Sequence, residues 1–309
     1  MSKKKIFIII LNYNGCKNTL ECLHSFETLR HPQGHELIPV IVDNASIDDS
    51  VKTFKEEFPQ IKLIENKINT GYAGGNNTGI TYALISGADY IVILNNDTLF
   101  ERSSVLEMLE SIVTYRADVV CPKIYFEKGF EYHSDRYQKK DLGKVFWFAG
   151  AVMDWGNVIA SHRGVDEVDI GQYDDKLNIE FITGACFMVK RVVFEKLKGF
   201  DETYFLYYED ADLSMKMNKS GFKMMLAPKS IIYHKNAGST GGSGSGLQDY
   251  YITRNRLLFG LRYASTRAKF ALLRESMRLF VSGRKWQKKG VADFYLHKLG
   301  KGTYPLDKK

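Results

Sequence analysis

IFIIILNYNG, residues 6–15, is a run of six apolar residues that stops abruptly on Asn12-Tyr13-Asn14-Gly15. That is strand length, and an apolar run without polar alternation suits a strand covered on both faces. The pattern recurs at Ile38–Val42, Ile61–Ile64 and Tyr90–Leu94. Helical spacing lies between the runs: Leu20, Leu23, Phe26 and Leu29 within Thr19–Leu29, then Ser50–Phe58, then Asn77–Ile85. The order βαβαβαβ with short connections predicts a parallel sheet with right-handed crossovers. Ligands of such sheets bind beyond the carboxyl ends of the strands, so the residues after each run carry the interest. They are Asn12-Tyr13-Asn14-Gly15, then Asp43-Asn44-Ala45-Ser46, then Asn69–Asn77, then Asn95-Asn96-Asp97. One polar strand end is a turn; four on the same edge point to a site.

The remaining sequence is less regular. Val145–Val152 and Glu180–Val189 read as strands, with an acidic loop over Asp166–Asp175 between them. A helix is expected over Asp210–Asn218, ending at Gly221, followed by short strands Phe222–Leu226 and Ser230–Tyr233 around Pro228. Ala237–Gly246 is a Gly/Ser segment, expected to act as a flexible flap. Helical patterns follow at Tyr250–Tyr263, Lys269–Val281 and about Val291–Leu299. The expected organisation is a body over 1–235, a flexible loop over 236–246 and a basic helical subdomain over 247–309.

Composition narrows the class. The chain has 309 residues, 44% hydrophobic and 26% charged, an ordinary globular make-up that excludes collagen, coiled coil and long disorder. At about 150 residues per domain this allows two domains or one elaborated α/β domain. Cys16, Cys22, Cys121 and Cys186 are scattered without a C-x-x-C, so a reducing compartment is expected and a disulfide framework is not. The first apolar run is shorter than the 7–15 or so residues of a signal-peptide core. No uninterrupted apolar stretch reaches about 18 residues, so no membrane-spanning helix is expected. These features predict a cytoplasmic protein. Its net charge of +7 is uneven, because residues 254–309 hold 15 Lys+Arg and 3 Asp+Glu, a balance of +12, against −5 for the rest. In this tail Leu257, Leu258, Phe259, Leu261, Phe270, Leu273, Leu279 and Phe280 interleave with arginines. An anionic membrane surface on the inner face of the plasma membrane is therefore a candidate partner; nucleic acid is not expected, since no reading motif is present.

Three constellations carry chemistry. Asp97 follows a buried strand, where a carboxylate can hold a divalent metal against a diphosphate, although Asn-Asp is also ordinary turn chemistry. Tyr207-Tyr208-Glu209-Asp210-Ala211-Asp212 places three carboxylates at a helix start. The helix dipole favours acids there, yet three acids beside three aromatics exceed capping needs, and Asp210 suits a general base. His234 ends a strand, where a metal ligand is wanted. Gly71–Asn77 is glycine-rich and opens a helix, which allows close backbone approach to an anion. It is neither G-x-G-x-x-G nor a P-loop, which argues against dinucleotide-binding and P-loop domains.

Taken together, IIILNYNG (8–15), VDNASIDDS (42–50), NTGYAGGNNTG (69–79), ILNNDT (93–98), TGACFMVKR (183–191), GFDETYFLYYEDADLSMK (199–216), HKNAGS (234–239) and YYITRN (250–255) resemble the family-two glycosyltransferases. These are inverting enzymes of the GT-A fold, and the likeness is to the bacterial rhamnosyltransferase branch. The resemblance implies an α/β fold with one nucleotide-binding, mostly parallel sheet, helices on both faces and a small helical C-terminal subdomain. It implies that Asn12, Tyr13 and Asn14 line the base and ribose pocket and that Asp43 meets the pyrimidine N–H edge. Gly74, Gly75 and Asn76 would lie against the nucleotide and diphosphate, with Asn95 nearby. Asp97 and His234 would hold Mg²⁺ or Mn²⁺, Asp210 would be the base, Glu209 would shape the acceptor side, and Arg254 would steady the diphosphate. Position 95 departs from the familiar D-x-D, so Asp97 is the only anionic ligand of its triplet. The implied partners are a TDP- or UDP-sugar donor, with rhamnose the first guess, and a bacterial glycan or lipid-linked acceptor. The rival readings are a sugar nucleotidyltransferase, whose Gly-rich loop after the first strand is missing here, and a non-catalytic glycan- or membrane-binding protein on a transferase fold.

Overall fold

The computed structural model describes residues 3–235 and 244–306. Most of the Gly/Ser flap expected from the sequence lies outside the described residues. The first half alternates as read: β1 (Lys4–Asn12), α1 (Cys16–Glu27), β2 (His35–Asp43), α2 (Ser50–Glu57), β3 (Lys62–Glu65), α3 (Gly71–Ile85) and β4 (Tyr90–Asn95). Then come β5 (Thr98–Phe100), α4 (Ser104–Thr114), β6 (Val119–Phe126), β7 (Phe146–Phe148), β8 (Ala151–Asp154), β9 (Ile159–His162), β10 (Cys186–Lys190), α5 (Arg191–Leu197), α6 (Glu209–Lys219) and β11 (Met224–His234). Three helices close the chain: α7 (Gly246–Tyr263), α8 (Thr266–Ser282) and α9 (Lys285–Tyr295).

The main sheet runs β3-β2-β1-β4-β10-β6-β11-β5, with β7 added beside β6. Its first four strands are parallel, as the helical crossovers require. β10 then enters antiparallel between β4 and β6, and β5 and β7 are also antiparallel to their neighbours. The sheet is therefore mixed, parallel over its first four strands and again between β6 and β11. β8 and β9 form a separate hairpin.

Several boundaries differ from the sequence reading, each for a local reason. α3 opens at Gly71, six residues before Asn77, because the glycines sit inside the helix and pack it against the sheet. A Cβ on Gly75 would lie 2.4 Å from Leu11 of β1, so only glycine lets the helix approach this closely. The two strands placed around Pro228 are one, bulged between Ala227 and Ile231. A bulge is where a sheet accepts proline, which has no N–H for the ladder. Val145–Val152 is broken into β7 and β8 at Gly150, whose φ of 105° belongs to glycine. Of Glu180–Val189 only the end is strand.

The C-terminal helices share the body's core. Leu257, Phe259, Ala268, Leu272 and Val291 belong to the same buried cluster as the strands of the sheet. Ser245 and Ser265 cap α7 and α8 by accepting N–H bonds from Gln248 and Ala268. No described helix is long and apolar enough to cross a membrane.

Candidate active site

Parallel pairing brings the polar strand ends to one edge. Asn12 stands opposite Asp43 and Leu11 opposite Asn95. Asn12 is fully buried. Its Nδ2 donates to Asp43 (2.8 Å) and Ser46 (3.1 Å), and its Oδ1 accepts from Thr19 (2.8 Å) and Asn96 (3.3 Å). Asp43, 1% exposed, also accepts from the Ser46 N–H. The structure thus gives Asn12 a different part from the expected pocket lining: with its amide engaged inside the protein, it positions Asp43 and the loop after β1. Asn14 is the exposed member, in left-handed conformation, and its Oδ1 accepts from the Ile47 N–H at 2.8 Å. Tyr13 beside it is half-buried.

Gly74 and Gly75 are buried within α3, where their lack of Cβ accommodates Thr70 and Leu11. Packing alone thus requires glycine at both positions, Gly75 against β1 and Gly74 against Thr70 at the start of its own helix. Asn76 is fully buried, donates to the Tyr72 carbonyl (2.9 Å), and leaves Oδ1 as an acceptor without a partner.

Asp97 and His234 meet. His234 ends β11 opposite Thr98, and its Nε2 lies 3.2 Å from Asp97 Oδ1. Both are nearly buried, at 7% and 5% exposure. Beyond that contact with Asp97, the His234 ring has no hydrogen bond, and Nδ1 has no partner, which is costly for a buried imidazole unless another ligand takes it up. Trp147 packs on His234 with ring centroids 4.4 Å apart, and His162 lies 4.5 Å from the other side of the indole contact. Burial, more than the proximity of His234, pushes the His162 imidazole down to about 4, so this ring stays neutral. Sequence reading passed over Trp147 and His162, which are remote in sequence from every polar strand end. An imidazole beside a carboxylate, buried and with no hydrogen bond at Nδ1, fits a divalent cation. Among the described residues no group of three or more His, Cys, Asp or Glu gathers, so the remaining positions would fall to water and phosphate oxygens, as hard cations accept.

The three acids of YYEDAD separate into three environments. Asp212 is fully buried and structural: it accepts from Arg262 (3.1 Å), Tyr263 (2.9 Å) and Tyr204 (3.1 Å) and pairs with Lys216 (2.7 Å). Asp210 is held by backbone, with Oδ2 accepting from the Gly184 N–H (3.1 Å) and Oδ1 from the Ala211 N–H (2.8 Å). Glu209 is buried and its Oε2 has no partner. Burial raises both carboxyls above the ordinary range, Glu209 far above it with the Asp210 charge adding to the effect, while the N–H donors to Asp210 counter its rise. Of the pair, Glu209 is therefore the more strongly raised and Asp210 the one that ionises first. Gly184 also ties this acid to the strand edge, since the next residue, Ala185, accepts the Asn95 N–H at 2.9 Å.

The loop that presents these acids is strained. Phe205, Tyr207 and Tyr208 have φ of 66°, 67° and 72°, and bulky residues in this region cost about 1–2 kcal/mol each. The restraint comes from YYITRN on α7. Asn255 Nδ2 lies 2.8 Å from the carbonyls of Tyr204, Leu206 and Tyr207. Arg254 was expected at the diphosphate, but it is fully buried, with its guanidinium directed at Asn255 Oδ1 (2.9 Å) and the carbonyls of Tyr204 (2.9 Å) and Lys298 (3.3 Å). A guanidinium with all three nitrogens engaged in this way is a positioning group for the loop. Replacing Asn255 by Leu should orphan buried carbonyls and destabilise the protein by on the order of 3 kcal/mol. Turnover should fall at least tenfold with little change in donor KM; an unchanged kcat in a correctly folded variant would show that the loop holds its shape unaided.

Comparison with known proteins places this arrangement. The sequence model described as Glycosyl transferase family 2 matches residues 7–198. N-acetylglucosaminyl-diphospho-decaprenol L-rhamnosyltransferase of Mycobacterium tuberculosis is 26% identical over 216 residues, covering 65% of this chain and 67% of that protein. Rhamnosyltransferase WbbL of Escherichia coli K12 is 21% identical over 216 residues, 63% of this chain and 77% of its own length. The structure of the mannosyltransferase PcManGT from Pyrobaculum calidifontis, in complex with GDP-Man and Mn²⁺, superposes with a TM-score of 0.56 at 16% identity over 98% of this chain and 77% of that one. The curled mixed sheet, its flanking helices and its polar strand-end edge are the GT-A architecture, and the chain belongs to glycosyl transferase family 2.

Proposed function

We propose that this glycosyltransferase is an inverting enzyme that moves a hexose, rhamnose first among the candidates, from a TDP- or UDP-linked donor to a hydroxyl of a bacterial cell-envelope glycan or lipid-linked acceptor. The observation that carries the reading is Asp210: a half-buried carboxylate fixed by two backbone N–H groups, beside the buried Glu209, whose carboxyl burial raises well above the ordinary range. The names of the rhamnosyltransferase relatives support the sugar.

The chemistry is a single displacement. Asp210 accepts the proton of the acceptor hydroxyl as that oxygen bonds to the anomeric carbon. The bond from that carbon to the donor's phosphate oxygen breaks, the nucleoside diphosphate leaves with the electron pair, and configuration inverts. Glu209, with its raised carboxyl, shapes the acceptor side. Asn14, Tyr13 and Asp43 shape the base and ribose pocket, with Asn76 and Asn95 near the diphosphate. Asp97 and His234 would hold Mg²⁺ or Mn²⁺, which when bound neutralises charge on the diphosphate.

A screen of nucleotide sugars by thermal shift and hydrolysis, with and without Mn²⁺, tests this. One TDP- or UDP-sugar at about 100 times its Kd should add about 2.7 kcal/mol of stability, a rise of several degrees, and be slowly hydrolysed to the nucleoside diphosphate. Conversion of the nucleotide sugar to nucleoside triphosphate and sugar 1-phosphate when pyrophosphate is added would instead indicate a nucleotidyltransferase, and no response to any donor would indicate a binding protein.

A further inference from the structure

The basic tail divides into two faces that the sequence could not separate. Leu257 and Phe259 of α7 are buried against the body. On α8 the buried residues are Ala268, Leu272 and Ser276, all on one side. The opposite side carries large apolar groups in the open: Phe270 is 69% exposed, Met277 61%, Phe280 55% and Val281 75%. At about 100° per residue these four, with Leu273 among them, fill one continuous arc of about 100°. Arg274, Arg267 and Arg278 occupy the next 60° or so, and Lys269 flanks the other edge. The one acid of α8, Glu275, is already paired with Arg256 of α7 at 3.1 Å, so the rim of the apolar stripe is cationic.

We infer that α8 is an interfacial helix that seats the protein on an anionic lipid bilayer, with Phe270, Met277, Phe280 and Val281 inserted among the acyl chains and Arg267, Arg274 and Arg278 at the headgroups. Three features select this occupant. An apolar stripe edged by basic residues, on a helix too polar to span, is the pattern that lies in a membrane interface. The surrounding segment from residue 254 onward is strongly positive, which complements an anionic surface. A second copy of the chain, paired by symmetry on this face, would oppose arginines to arginines. The arginine rim also borders a surface pocket of about 630 Å³ between α8 and the Gly156–Ile159 turn; that turn accepts the Tyr208 hydroxyl at Val158. Because Tyr208 directly precedes Glu209, docking on α8 would bring the candidate acids close to the lipid surface, where a lipid-linked acceptor resides. This last link rests on the proposed transferase reading; the membrane contact does not.

The full-length protein should co-sediment with vesicles of phosphatidylcholine and 30% phosphatidylglycerol at low salt and with pure phosphatidylcholine vesicles far less. Each arginine near the surface should strengthen binding about fivefold, so Arg267→Glu/Arg274→Glu/Arg278→Glu should lose at least 100-fold. Phe270→Ser/Met277→Ser/Phe280→Ser/Val281→Ser should lose at least tenfold, including the fraction that survives high salt. Donor hydrolysis, followed without vesicles, should be unchanged in both variants, which separates a failure of this proposal from a failure of the transferase reading. In a second measurement, Phe280→Trp should gain fluorescence, relative to the parent, that acyl-chain-brominated lipid quenches. Absence of binding to the anionic vesicles, binding indifferent to the serine substitutions, or no quenching would overturn the proposal. So would a stable dimer in sedimentation velocity that the serine substitutions convert to monomer.

Discussion

Asp210→Asn should bind donor as the parent does and transfer sugar about 10²–10⁴-fold more slowly, the usual loss on removing a general base. The amide keeps the shape and can still accept one of the two N–H groups, from Gly184 or Ala211, that Asp210 accepts through its two oxygens, so unchanged donor affinity checks that the loop before α6 stays in place. What it cannot do is take a proton. The parent's pH profile provides a second check. Asp210 acts only when ionised, and burial has raised its carboxyl above the ordinary range, so activity should fall as pH drops through that raised value. The acid limb should therefore lie above the value of about 3.9 expected for a free aspartate. A limb at the free-aspartate value would exclude a carboxyl raised by burial as the base, and Asp210→Asn activity within a few-fold of the parent would move the base to Glu209. It would not move it to Asp212, whose carboxylate is committed to Arg262, Lys216 and two tyrosines.

Asp97→Ala and His234→Ala should each weaken donor binding in Mn²⁺ by about 100-fold, equivalent to about 3 kcal/mol and consistent with the several kcal/mol a metal supplies at a phosphoryl oxygen. The effect should be this large because the described protein ligands number two, so either substitution leaves a single residue on the cation. Titration calorimetry with the nucleoside diphosphate, with Mn²⁺ and again with chelator, isolates the metal from the fold. The variants should differ from the parent in the first condition and match it in the second. Undiminished affinity in both variants, or full parental activity in chelator, would remove the metal from the mechanism.

How far the sequence carried can be judged from particular residues. Asn12, Asp43, Asn95 and Asp97 were legible because a strand end is a local event: an apolar run stops, and the polar residue after it must lie on the sheet's edge. Asp210 stood out differently, as an acid in excess of what a helix start needs, and its part as the base is the proposal made above. Trp147 and His162 were not, because their only connection to His234 is spatial. Arg254 was misassigned, since a basic residue in a transferase motif looks the same in sequence whether its guanidinium faces a ligand or three carbonyl-type acceptors. The glycines of 71–75 were read as a ligand cradle, and each also packs closely in the fold, Gly71 on Phe205, Gly74 on Thr70 and Gly75 on Leu11, because absence of a side chain serves both purposes equally.

The alternation of apolar runs and helical spacing over residues 6–94 was sufficient to determine the parallel half of the sheet and the edge on which its chemistry lies. Backbone hydrogen bonding and hydrophobic periodicity act within a few residues of one another, so the chain itself records them. The antiparallel entry of β10, the division of YYEDAD into a structural acid, a more strongly raised acid and one that ionises before it, the clamp of Asn255 on the loop before them, and the sorting of the basic tail into a buried α7 and an exposed α8 stripe were decided only in three dimensions. Each depends on what stands opposite a side chain, and the partners, such as Gly184 for Asp210 or Tyr207 for Asn255, lie 26 and 48 positions away along the chain. Desolvation and orphaned polar atoms are properties of an enclosed space, and the space exists only once the chain has folded around it.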